Sequence, residues 1–410
     1  MVHTSESPPT ERIPAAPART RLHGVDIARG LAVLGMFVAH AGPAVLSMNA
    51  GGAAEVLATL SDGHASILFA TLAGVSLALL TGGSRPHEGM ALRRDRVRIA
   101  VRAALLFVLG MALTQLGTPM MVILSFYALY FLLTLPFLRL RPAVLLVLAA
   151  VWAVAGPVAS FLIRGAISSG DTAGGALAFS DLTSWDAAVA GFQRLLLDGA
   201  YPVLTWMPFV LTGLAVGRLD LRATAVRVKL LVSGVVLAVL GTVGSWLALH
   251  VFGGVRALEP VLANLEPIAA EIGKEPLELL QMFGFGVVPT TTPAMLLING
   301  PHSGTPFEVV ASTGAALAVL ALCLFAGDFL RTLLAPLAAV GALALTVYSV
   351  QGLLLEPVVT GLGEQPWLPL LVLALGSLVL CGLWRPLLGR GPLERVLHWT
   401  STKAADVVAR

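Results

Sequence analysis

The chain is 410 residues long, 57% hydrophobic and only 12% charged, with a net charge of +3. A mean hydropathy of +0.87 excludes a soluble domain, which has no need of so much apolar sequence, and predicts an all-α, polytopic integral membrane protein. The apolar residues come in continuous runs, not in the alternating segments of roughly ten residues that a membrane β-barrel requires.

Residues 1–20 carry Pro8, Pro9, Pro14 and Pro17 and no apolar run, so they read as a disordered cytoplasmic tail, neither signal peptide nor helix. Ten segments then read as spans, over 24–43, 64–81, 99–117, 120–138, 142–163, 201–218, 228–251, 307–327, 335–357 and 367–388. Each is near the ~20 apolar residues that cross a ~30 Å hydrocarbon core. Together they make a transmembrane domain over 21–390, followed by a cytoplasmic tail over 391–410. Arginine sets the orientation. Arg12, Arg19 and Arg21 precede the first span, and Arg85, Arg93, Arg94, Arg96 and Arg98 follow the second. Arg139, Arg141, Arg218, Arg222, Arg227, Lys229, Arg331, Arg385, Arg390, Arg395 and Lys403 mark later loops on that same side. The other side keeps only Arg164, Arg194, Arg256 and Lys274, which places both termini in the cytoplasm.

Two outer loops are long and acidic, over 164–200 and 252–306, and within them 185–197 and 277–288 read as short interfacial or re-entrant helices. Loops of this length are functional, or form a solvated acidic rim. The sequence has no internal repeat of the kind that builds inverted-repeat transporters. Cys323 and Cys381 both fall inside apolar runs, so no disulfide framework is expected.

The candidate chemistry begins in the first span, where Asp26, Arg29 and His40 interrupt an apolar run. Eleven residues are three helical turns plus about 20°, so Arg29 and His40 share one face roughly 16 Å apart. Asp26 lies three residues before Arg29, within reach of an ion pair. His40 is then a general base or a packing histidine. Arg29 either meets an anionic donor or simply pairs with Asp26 to anchor the helix. His64, at the outer end of the second span, is an interfacial cap or a catalytic group, and His302, in the turn-rich Gly300–Pro306, could touch substrate. Gly74, Ser76 and Gly110 allow close helix approach, so the second and third spans should form much of the cavity around His40. Arg93 and Arg94 read as a topology signal and headgroup anchor, or as attractors of an acidic nucleotide. No cluster has metal-ligand spacing, no glycine-rich loop has a phosphate-binding context, and nothing indicates nucleic-acid binding.

Asp26-Ile-Ala-Arg-Gly-Leu-Ala-Val-Leu-Gly-Met36 resembles the opening motif of the transmembrane acyltransferase superfamily. Its members include heparan-α-glucosaminide N-acetyltransferase-like proteins, YeiB-like bacterial proteins and O-antigen-type acyltransferases. Leu68-Phe-Ala-Thr-Leu-Ala-Gly-Val-Ser-Leu77 is similar to their second-helix motif. Ser125-Phe-Tyr-Ala-Leu129, Tyr201-Pro-Val-Leu-Thr-Trp-Met-Pro-Phe-Val210 and Pro301-His-Ser-Gly-Thr-Pro306 resemble landmarks of the glucosaminide branch. Gly341-Ala-Leu-Ala-Leu-Thr-Val-Tyr348 with Gln351, and Gly391-Pro-Leu-Glu-Arg395, resemble the carboxy-terminal part of the YeiB-like group. The spacing from Arg29 to His40 is that of the O-acyltransferase branch, in which the histidine is held to be catalytic. The other two branches usually carry Asn there, so this chain mixes landmarks.

The resemblance implies acyl transfer across a bacterial plasma (inner) membrane. The donor would be acetyl-CoA or another acyl-CoA, a cytoplasmic co-substrate and not a tightly bound cofactor. The acceptor would be an outward-facing sugar, lipid or amine of the envelope, such as a glycan, with membrane lipids around the protein. His40 would deprotonate the acceptor or carry the acyl group, Arg29 would orient the donor with Arg93 and Arg94, and Asp26 would fix Arg29. His64, His302, Tyr348 and Gln351 would contact the acceptor. The rival readings are a transporter or flippase using the same polar face, and a non-catalytic membrane scaffold.

Overall fold

Apolar runs of this length must satisfy their backbone groups internally, and helices do so without a partner strand. The computed structural model describes residues 21–46, 52–167, 174–282, 284 and 286–408; the expected tail over 1–20 lies outside them. Among the described residues the only β pairing is an isolated bridge between Gly174 and Gly199, and the rest is helix and loop. In chain order the helices are α1 (His23–Ala41), the single turn α2 (Pro43–Leu46), α3 (Ala53–Ser61) leading into α4 (His64–Leu80), α5 (Gly89–Gln115), α6 (Leu124–Thr134) and α7 (Pro142–Ile167). They continue with α8 (Trp185–Gln193), α9 (Val203–Val216), α10 (Thr224–His250), α11 (Gly254–Glu271), α12 (Pro276–Met282), α13 (Pro306–Phe329), α14 (Ala335–Ala342), α15 (Ala344–Leu362), α16 (Leu368–Leu388) and α17 (Pro392–Val408).

Eight units among the described residues are long and apolar enough to cross a membrane: α1 with α2, α3 with α4, α5, α7, α10, α13, α15 and α16. Two shorter apolar stretches, Leu124–Phe137 and Val203–Val216, lie between them. Chain direction alternates through all ten, which gathers the arginine-rich loops at one end of the bundle, the basic end.

Of the two shorter apolar helices, α9 is interior, whereas α6 exposes Leu132 and Leu133. Thirteen of the 14 residues of α9 are buried, so it has no lipid-facing side. Its length of roughly 21 Å falls below a full hydrocarbon core because it need not reach the surface. Arg218, buried just past its end, donates to the carbonyls of Ala78 at 3.1 Å, Thr81 at 3.3 Å and Gly83 at 2.9 Å, and to that of Leu138. One guanidinium thereby satisfies the terminal carbonyls of neighbouring helices. Against α4 the backbones touch: a Cβ on Gly213 would sit 1.9 Å from the Thr71 oxygen, and one on Gly74 2.1 Å from the Val210 oxygen.

The structure departs from or adds to four expectations. The expected span over 335–357 is broken at Leu343 into α14 and α15. Arg29 takes the Gly341 carbonyl at 3.2 Å, and Glu394 accepts from the Thr346 backbone at 3.0 Å and its hydroxyl at 2.5 Å, capping the new helix start. Within the expected tail over 391–410, the described residues form α17, which docks along α5, with Arg102 donating to Ser401 at 3.3 Å and Arg94 pairing with Asp406 at 2.5 Å. The outer segment 252–306 contains α11, which Pro260 and Pro267 hid from the sequence reading because proline removes a helical hydrogen bond. Among the described residues, the helix expected over 277–288 is found only as α12. The stretch 185–197 does form a helix, as α8 followed by the π-helical turn Arg194–Asp198.

Candidate active site

The two ends of α1 do different things. At the basic end Asp26, 4% exposed, lies in the first helical turn, where the exposed N–H groups favour a carboxylate. Arg21 Nε approaches it to 2.5 Å, Arg29 Nη1 to 3.3 Å and Arg385 to 3.7 Å. Arg29 also donates to Ser76 Oγ at 2.8 Å, so it ties α1 to α4 and α14. Asp26 and Arg29 therefore pair as their spacing predicts, with Arg21 and Arg385 as additional partners. Arg93 and Arg94 do not join them: Arg93 is exposed and Arg94 belongs to Asp406.

At the opposite end His40 lines a cavity of about 30 Å³ with Met36, Ser66, Tyr201, His302 and Tyr348, room for about one or two waters. Of the two spans expected to wall it, the second contributes Ala65 and Ser66 at the start of α4. α5 contributes nothing to it, because Gly110 is spent on Ser125 of α6, whose Oγ would lie 2.4 Å from an added Cβ. The rest of the wall comes from Met121, Ile123, Tyr201, His302 and Tyr348 of α15. Gln351, 1% exposed, places its Nε2 3.1 Å from His40 Nδ1. The Gln351 carbonyl oxygen has no partner. Tyr348, which also lines the cavity, has its hydroxyl engaged by the Ile123 N–H at 3.0 Å and the Met121 carbonyl at 3.4 Å.

His302 enters from the loop before α13. Its ring stacks on Trp206, with centroids 6.0 Å apart and 19° between planes, and meets the edge of Tyr201 at 5.8 Å. Its Nε2 lies 3.9 Å from Asp62 Oδ1. Burial pushes the His302 imidazole below its ordinary pKa, the Asp62 charge opposes that, and His64 adds to the lowering. His302 is the one non-glycine among the described residues with positive φ, at 56°. Such a conformation costs on the order of 1 kcal/mol or more and persists only where the surroundings impose it. Here Gly286 N–H donates to the His302 carbonyl at 2.5 Å, Glu308 accepts from the Gly304 N–H at 2.6 Å, and Thr305 donates to the Ile298 carbonyl at 2.5 Å. Gly63, itself at φ 68°, packs on Pro301, where a Cβ would sit 3.2 Å away. This contact brings Asp62 and His302 together.

His64, by contrast, begins α4 with Nδ1 on the Asp62 carbonyl at 3.0 Å and does not line the cavity. Of the sequence candidates, His40, His302, Tyr348 and Gln351 meet at one place, Asp26 and Arg29 at the other end of the same helix, and His64 at the cavity's margin. Asp62, Tyr201 and Glu308 were missed. Glu308 was findable, since a carboxylate within the apolar run of α13 is a functional signal in itself.

A family model described as the heparan-alpha-glucosaminide N-acetyltransferase catalytic domain matches residues 21–250. No curated protein matches the chain. The matched residues carry His40, Asp62 and Tyr201, whereas His302, Tyr348 and Gln351 lie beyond them, so the cavity is closed by both parts of the chain. With more than half its length matched, the protein belongs to the heparan-α-glucosaminide N-acetyltransferase catalytic family, as a multi-pass membrane protein of acetyltransferase type.

Proposed function

We propose that the protein moves an acyl group, most simply acetyl, from a cytoplasmic CoA thioester to an outward-facing amine or hydroxyl on an envelope sugar or lipid. The bacterial plasma membrane is the setting, with the basic end inside. The observation that carries this reading is the placement of two poles on one helix. Arg21, Arg29 and Arg385 share the single carboxylate of Asp26, which leaves surplus positive charge to draw the donor's phosphates. His40, roughly 16 Å along α1, lines a small cavity with a second histidine. Only about one or two waters fit there, so a thioester reaching His40 meets a titratable group in place of bulk solvent.

The test is transfer from radiolabelled acetyl-CoA to glucosamine and to total envelope glycan and lipid, in membranes with matched protein levels. His40→Ala should lose at least ~10²-fold in rate, the usual worth of a positioned catalytic group. Wild-type transfer by that variant would make His40 a packing residue and overturn the reading.

A further inference from the structure

Two histidines line one cavity, and their partners give them opposite roles. His40 receives the Gln351 amide N–H on Nδ1 at 3.1 Å, so its ring proton resides on Nε2 and that nitrogen is a donor. His302 has Asp62 Oδ1 3.9 Å from Nε2. A carboxylate on that side favours the proton on Nε2 and leaves the Nδ1 lone pair basic. Contacts of this kind are often long before substrate binds and tighten when it does. The strained His302 backbone, the Trp206 stack and the Gly63–Pro301 contact hold the ring against the cavity. Packing alone would not require a carboxylate beside it.

We infer that His302, oriented by Asp62, is the general base that takes the acceptor's proton, and that His40, held by Gln351, is the hydrogen-bond donor facing the thioester oxygen. The inference rests on the acyl-transfer reading above and divides its chemistry between two residues. The acceptor nitrogen or oxygen attacks the thioester carbon, and a C–N or C–O bond forms as its proton passes to His302 Nδ1. The carbonyl oxygen, negatively charged in the intermediate, takes a hydrogen bond from His40 Nε2–H. The C–S bond then breaks with its electron pair leaving on sulfur, and the proton on His302 neutralises the thiolate. Asp62 is a positioning residue and touches no reacting atom.

The experiment uses the full chain in lipid nanodiscs, where both faces are accessible, with acetyl-CoA as donor. Thiol release is followed with two nucleophiles: glucosamine, which must lose a proton to react, and hydroxylamine, which attacks thioesters without a base. His302→Asn is the informative substitution, because Asn tolerates positive φ and keeps the loop. It should lose ~10²–10⁴-fold with glucosamine and far less with hydroxylamine. His40→Ala should lose ~10²–10³-fold with both, as expected for a lost oxyanion donor. Asp62→Asn should slow the glucosamine reaction, and Asp62→Glu should restore most of it. A His302→Asn protein that is fully active with glucosamine, or impaired equally with both nucleophiles, overturns the base assignment and leaves acyl transfer standing. A wild-type protein that releases no thiol with either nucleophile overturns acyl transfer, and the base assignment falls with it.

Discussion

Arg29 holds three helices with one planar group. It meets Asp26 of its own helix, Ser76 Oγ of α4 at 2.8 Å and the Gly341 carbonyl of α14 at 3.2 Å. A lysine offers a point charge and can serve one of these partners well at a time. Arg29→Lys should therefore lower stability in detergent by roughly 1–2 kcal/mol, allowing for a side chain that keeps some exposure. Thermal unfolding curves of the two proteins check this; superimposable curves would mean the three contacts are dispensable. The Asp26–Arg29 pair was legible in the sequence because helical geometry alone relates residues three apart. Its other partners were not, since Ser76 and Gly341 are 47 and 312 positions away. The same limit applies to His40, whose tautomer depends on a glutamine 311 residues later. Local spacing identifies a polar residue, whereas its chemical role is set by whatever tertiary packing brings alongside.

At the level of whole helices, hydropathy located the eight units long enough to cross a membrane and the two shorter apolar helices, because a long apolar run is recognisable by itself. It could not locate what depends on neighbours: the break at Leu343, the shortness of α9, or the docking of α17 on α5. The α4–α9 crossing shows why. Nothing local marks Gly74 and Gly213 as a pair, yet their backbones approach so closely that neither tolerates a side chain. Gly213→Leu would drive a branched side chain into the Thr71 carbonyl, and overpacking of this kind costs typically ~1–3 kcal/mol or more. The expected result is a large fall in melting temperature and loss of a single monodisperse species in detergent. Gly376→Leu, at a helix position with nothing within 4 Å of the added Cβ, should leave both unchanged. Equal behaviour of the two variants would show that helix propensity, not packing, governs these sites.

On the scale of the molecule, the bundle is polar along its long axis. Arginines gather at one end, and the cavity with His40 and His302 lies toward the other. A helix bundle has no intrinsic inside; the membrane supplies one, and basic loops are the residues it retains in the cytoplasm. The acyl-CoA reading depends on that assignment, because the donor is cytoplasmic and the acceptor must be reached from the other face. Two single cysteines decide it. Ser84 is exposed in the loop between α4 and α5 at the basic end, and Gly175 is exposed in the segment that follows α7 at the opposite end. They would be introduced one at a time as Ser84→Cys and Gly175→Cys after replacing the buried Cys323 and Cys381 with alanine. In intact cells an impermeant maleimide should label Gly175→Cys and not Ser84→Cys, and permeabilisation should expose both. Labelling of both from outside would break the alternation expected of the spans. The reverse pattern would preserve the fold but turn the cluster around Asp26 outward, where no cytoplasmic thioester could reach it, and acyl transfer from acyl-CoA would have to be abandoned.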